Sequence, residues 1–275
     1  MVRQGFVILW MVIALVMAGC GGGGQASTPT PTPLPPLEVF KLASTRGADI
    51  QSFRAVMDME ATSQGENVAL SETVSLDRER NVGIEANINS QGQKISFQMI
   101  ITKDDVFMKL PLQEWTHIKK ESLGPEFTGA FEVISNPAAA AKFFSVDVDT
   151  LPSGAVTVKR VGIEEVDGSR VDHLAVQMDF TRVWQSYDEA AKKRFAETIA
   201  FASVNLEQLD EVYAKTNIRR YDVWVDQQGY KRKIIMEMEM GPDIFLKMNM
   251  KMSDINSADI KVEPPQKYKV GNPFS

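Results

Sequence analysis

His117 and His173 are the chain's two imidazoles, far apart and each inside a stretch that alternates like a β-strand. Acid–base or nucleophilic catalysis needs an imidazole beside a hydroxyl, thiol or carboxylate. Neither histidine stands in an H-E-x-x-H pair, and the chain has no G-x-S-x-G elbow and no P-loop. Both are expected to be packed or surface residues. The carboxylate pairs Asp104-Asp105 and Glu164-Glu165 fall at turns or strand ends. Neighbours along a strand face opposite sides, so neither pair converges on one substrate, and both are expected to be solvated. Met236-Glu237-Met238-Glu239-Met240 aims three thioethers to one side, a donor type that suits Cu(I). No histidine or cysteine accompanies them, and any buried strand face shows the same spacing. The expectation is no catalytic residue, no metal site and no cofactor.

Cys20 is different, because its position alone assigns it a chemistry. It is the only cysteine of 275 residues, which rules out an intrachain disulfide. Before it come Arg3, an apolar run from Phe6 to Met17 too short to span a bilayer comfortably, and the small residues Ala18 and Gly19. These are the parts of a secretory signal peptide. Small residues directly followed by cysteine resemble a bacterial lipobox, with Met17 where leucine is usual and Leu15 two positions further back. Residues 1–19 are therefore expected to be removed and Cys20 acylated, with palmitate as a typical chain. The protein would be tethered to the cell membrane or the outer membrane with its domain on the extracytoplasmic side. Gly21 rather than aspartate follows the cysteine, so no retention signal is evident. Residues 20–37 continue as four glycines and a Thr-Pro repeat to Pro35-Pro36, a flexible then extended stalk.

Residues 38–275 are long enough for one domain with its own core. The net charge of −6 shows no basic stripe, which argues against a nucleic-acid partner. No second apolar run is long enough to span a bilayer. A monomer is expected.

Period-two alternation dominates the domain. Phe53, Ala55, Met57, Met59 and Ala61 share one phase. Val68, Leu70, Val74 and Leu76 repeat it, then Val82 to Ile88, Ile95 to Ile101 and Val106 to Leu110. Short polar turns join them, which predicts an antiparallel meander with one apolar face. Residues 125–144 read as short helices. Strands resume at Val156–Val158 and at Leu174, Val176, Met178 and Phe180. Ser186 with Glu189 reads as a capping box opening a helix with Ala191, Phe195, Ile199 and Ala202 on one face, and a second helix starts near Asn205. Tyr221 to Val225, Ile234 to Met240 and Leu246 to Met252 return to sheet.

Methionine is the unusual ingredient. Every methionine after Cys20 falls in a predicted strand, nearly always on the apolar phase. The flexible, polarizable thioether fills irregular space and suits surfaces that accept varied shapes. Two readings stand beside the copper one: the methionines pack under helices, or Met57, Met59, Met236, Met238, Met248 and Met250 line a cavity for acyl chains together with Phe195 and Ile199.

From Val161 onward the chain resembles the LppX/LprG-type lipoproteins, which share the half-barrel of LolA and LolB. The residues that carry this are Val161-Gly162, Val166-Asp167-Gly168, His173-Leu174, Val223-Trp224-Val225-Asp226 with Gly229 and Arg232, then Ser253-Asp254-Ile255-Asn256 and Val262-Glu263-Pro264. Phe107-Met108-Lys109 with Trp115 matches more weakly. The resemblance implies an α+β fold, a strongly curved antiparallel sheet with helices on its concave side, and a cavity for a lipid or an acylated glycolipid. It implies no catalytic motif, and structural roles for Trp224 and Asp226. A lipid binder or shuttle is one expectation; an envelope interaction module with a filled core is the other.

Overall fold

The computed structural model describes residues 34–63, 65–123, 148, 150–190, 192, 206–240 and 244–271, with side chains of 206–209 not described. Cys20 and its flanks, the helices expected within 125–144, Ala191, Phe195, Ile199, Ala202, Asn205 and the turn Gly241-Pro242-Asp243 lie outside these residues.

Helix α1 (Pro36–Thr45) comes first. Pro36 sits in its first turn, where a missing N–H costs nothing, and Val39, Phe40 and Ala43 form its buried stripe. Six strands follow: β1 (Phe53–Ser63), β2 (Glu66–Leu76), β3 (Val82–Ser90), β4 (Gln93–Ile101), β5 (Asp105–Lys109) and β6 (Thr116–Lys119). Then come β7 (Val156–Val166), β8 (Ser169–Met178), α2 (Phe180–Ser186), α3 (Leu206–Ala214), β9 (Thr216–Asp226), β10 (Lys231–Met240), β11 (Ile244–Ser253) and β12 (Lys269–Val270). Their spatial order is β12-β6-β5-β4-β3-β2-β1-β11-β10-β9-β8-β7. Two meanders are thus stitched together where β1 pairs antiparallel with β11, and the sheet stays open at both edges.

The α+β class and the curved antiparallel sheet are as expected. Among the described residues the one parallel pairing is β12 with β6. To reach it, the chain after β11 runs back past the ends of β1 and β2. Asp77 accepts the Val262 N–H at 3.1 Å and Asn256 accepts the Gln51 N–H at 2.7 Å. The Val262–Pro264 segment is held by this loop carboxylate rather than by a strand ladder.

Hairpin geometry follows turn chemistry. Asp167-Gly168 joins β7 to β8 with both φ angles positive, 48° and 76°, as a two-residue primed turn requires. In the β9–β10 turn the Asp226 carboxylate accepts the Gln228 and Tyr230 N–H groups and the Arg232 guanidinium, so the turn role expected for Asp226 is met. Gly229 has φ +87°, and a Cβ there would lie 2.9 Å from Leu42 Cγ of α1. Gly229→Ala should therefore both strain the turn and push α1 off the sheet. A loss of about 1–3 kcal/mol is expected, read as a lowered midpoint in thermal denaturation; an unchanged midpoint would mean α1 does not seat on this turn.

Two elements differ from expectation for local reasons. Phe180 begins α2 instead of extending β8, because the Asp179 side chain accepts the Arg182 N–H at 3.0 Å and caps a helix there. Ser186 ends that helix, its hydroxyl donating back to the Val183 carbonyl, so it opens no capping box. The next helical turn starts at Glu189, with Lys192 N–H donating to the Asp188 carbonyl. Among the described residues no helix is long and apolar enough to cross a membrane.

Candidate functional site

One buried face runs across both meanders. In β1 the residues Phe53, Ala55, Met57, Met59 and Ala61 are buried while Arg54, Asp58 and Glu60 are exposed. The opposite face is wet and tied by cross-strand pairs such as Ser71 Oγ donating to Asp58 Oδ1 (2.8 Å) and Ser96 Oγ to Asn87 Oδ1 (2.7 Å).

The register brings six of the expected methionines together on three adjacent strands. Met57 of β1 lies opposite Met250 of β11, and Met59 opposite Met248. Met248 in turn faces Met236 of β10, and Met238 faces Leu246. All six are 1–5% exposed and belong to one continuous core. Their grouping depends on the β1–β11 seam, which joins the first strand of the sheet to its eleventh.

Ladder order also gives complete rows. One runs Phe97, Ala86, Glu72, Met57, Met250, Ile234, Val223 and Leu174 from β4 to β8. Seven of these are apolar; Glu72 is not. It is 4% exposed, and its Oε2 is buried without a hydrogen-bond partner. Burial alone pushes its pKa from 4.5 up to about 7. The sequence holds a signal for it: Val68, Leu70, Val74 and Leu76 keep one phase, and position 72 is the interior slot between them.

Helices cover the β7–β9 end of this face. Phe40 of α1 meets Tyr221 edge-on at 6.1 Å, and Lys231 lies over the Phe40 ring. Trp184 of α2 stacks on Tyr213 of α3 at 4.2 Å and donates its Nε1–H to Asp210 at 2.6 Å. Burial pushes the Tyr213 hydroxyl pKa upward.

The histidines and two of the paired carboxylates prove to be partners; Glu164 is exposed, as the solvated reading expects, while Asp105 is half-buried. On the face opposite the methionines, His173 stacks on Trp224 at 4.1 Å and its Nδ1 lies 2.7 Å from Glu164 Oε1. Trp224 Nε1–H donates to Glu164 Oε2 at 2.8 Å. That indole bond, then the imidazole, hold the Glu164 pKa below the usual range against its desolvation. His117 stacks on Phe107 and meets Tyr268 edge-on, with Nε2 2.7 Å from Asp105. Lys119 chiefly, and then His117, lower the Asp105 pKa. Among the described residues neither imidazole is hydrogen-bonded to a hydroxyl or thiol, and each pair joins neighbouring strands. Trp224 is packed, the role expected for it.

No family model matches the chain, and no curated protein sequence is similar to it. Solved structures are. The Mycobacterium tuberculosis lipoprotein LppX is 12% identical with a TM-score of 0.40, over 82% of this chain and 97% of that one. LprF from Mycobacterium bovis is 8% identical with a TM-score of 0.45, over 83% and 95%. A LolA-superfamily protein from Nitrosomonas europaea is 12% identical with a TM-score of 0.24, over 83% and 96%. The LppX-type and LolA-type proteins named by the sequence resemblance are thus among the structures that this chain is similar to. At such identities and scores the likeness carries nothing about a ligand.

Proposed function

We propose that the protein is an extracytoplasmic lipoprotein, anchored through acyl chains on Cys20, whose methionine-lined face binds or shuttles a lipid or acylated molecule. The observation that carries this reading is the contiguity of Met57, Met59, Met236, Met238, Met248 and Met250 on three neighbouring strands. Six adaptable thioethers on one face are a surface suited to an acyl chain of no fixed conformation. Phe195 and Ile199 are proposed to border the same space from the helical side. The proposed partners are a lipid or an acylated glycolipid and the membrane holding the anchor.

A filled-core interaction module remains the second reading, and the near-complete burial of the six methionines favours it. Titration of the mature chain with a fluorescent fatty acid separates the two. Saturable emission enhancement is expected for a carrier; a flat titration would leave only the filled module.

The anchor has its own test. Cys20→Ser should abolish acylation and leave uncut precursor, because the thiol accepts the acyl group. Metabolic labelling with a palmitate analogue should lose its signal completely, and persisting label would remove Cys20 from the account.

A further inference from the structure

Glu72 is the charged-type residue on a face whose neighbours are apolar in every direction the sheet defines. Leu70 and Val74 flank it along β2, Met57 lies opposite on β1 and Ala86 opposite on β3. These neighbours carry no charge and offer no hydrogen bond, and Oε2 is left without a partner. Buried polar atoms are nearly always hydrogen-bonded, and one left unmade is costly. Nothing in the packing of β1, β2 and β3 requires an acid at this position, since the other residues of its row from β4 to β8 are apolar.

We propose that Glu72 anchors the hydroxyl group of an uncharged long-chain amphiphile, a fatty alcohol or a diacylglycerol, whose hydrocarbon lies along the methionine face. This rests on the lipid-binding reading and names the chemistry of its polar end. Below about pH 7 the Glu72 carboxyl is mostly protonated, with one O–H to donate and an oxygen that accepts. A hydroxyl has the matching pair and satisfies both at once. An ether or a methyl ester only accepts, so it can take the acid's O–H but leaves the acid's accepting oxygen unpaired. A fatty-acid anion brings a charge into an apolar site and is held there less well than the alcohol. Met57 and Met250, next in the same row, place adaptable surface directly beside the acid for the first methylenes of the chain.

The test uses the full mature chain at about pH 6, where the acid is neutral, and three probes that displace a fluorescent fatty acid: oleyl alcohol, its methyl ether and octadecene. The native protein is expected to prefer the alcohol over the ether by about tenfold, the worth of one buried hydrogen bond. Glu72→Met should bind octadecene as the native chain does, bind the ether somewhat less well, and lose the preference for the alcohol over the ether. Thermal melts verify that this variant is folded, and Glu72→Gln, which still donates and accepts, should keep part of the preference. A preference that survives in Glu72→Met, or none in the native chain, overturns the anchor while leaving lipid binding intact. Failure of all three probes to bind either protein overturns the lipid-binding reading itself.

Discussion

Glu72→Met is expected to stabilise the domain by considerably more in alkaline solution than in acid. The folded-state pKa of Glu72 is raised from 4.5 to about 7, so the folded state holds its proton more tightly than the unfolded chain. A group with a raised acid pKa makes no electrostatic demand below about pH 4.5. It destabilises progressively as pH climbs, and its full cost is present above about pH 7. The displacement corresponds to about 3 kcal/mol, and for a domain of this size that is a change of order 10 °C in melting temperature. Its neighbours Met57, Leu70, Val74 and Ala86 are apolar and add no charge to oppose or reinforce the effect. The gap between the melting curves of the two proteins, followed from about pH 4 to pH 9, should widen between about pH 4.5 and pH 7 and stay constant above. Parallel curves would show that Glu72 is paired or hydrated in solution.

The second large effect is expected at Met238, 1% exposed and opposite Leu246 on the β10 side of the methionine face. Met238→Trp adds an aromatic bicycle to that face. Where the face borders space for an acyl chain, the indole occupies that space, and fatty-acid uptake should fall at least about tenfold with the fold retained; where the interior is already full, overpacking costs about 1–3 kcal/mol instead. Met250→Trp, on the neighbouring strand β11 and opposite Met57, should behave the same way. Undiminished probe binding with a clear drop in melting temperature would favour the filled interaction module.

Much of the sheet was legible because period two is a local signal. The phase of Phe53 to Ala61 predicts which side of β1 is buried, and the Asp167-Gly168 pair predicts a hairpin. What escaped depends on contacts between distant residues or on position overriding residue type. The grouping of the methionines needs β1 to pair with β11, nearly two hundred residues away in the chain, and no local pattern encodes that. The His173–Trp224–Glu164 cluster requires β8 to sit between β7 and β9. Glu72 was passed over because an acid is ordinarily assigned outward, although its phase places it inside. Helix α1 was hidden in the stalk because Pro35-Pro36 reads as spacer, while a proline in the first turn is also a way for a helix to begin. At Phe180 the aromatic continued an alternating run, and the cap from Asp179 decided otherwise.

Native mass spectrometry of the full lipoprotein after gentle detergent extraction tests the central claim most directly, since a ligand held on the methionine face travels with the folded chain. The expected spectrum shows the mass of the chain acylated at Cys20 plus a non-covalent increment of one acyl lipid, removed by organic extraction and reduced in Met238→Trp. A spectrum showing only the covalently acylated chain, from protein that also takes up no added lipid, would contradict the account.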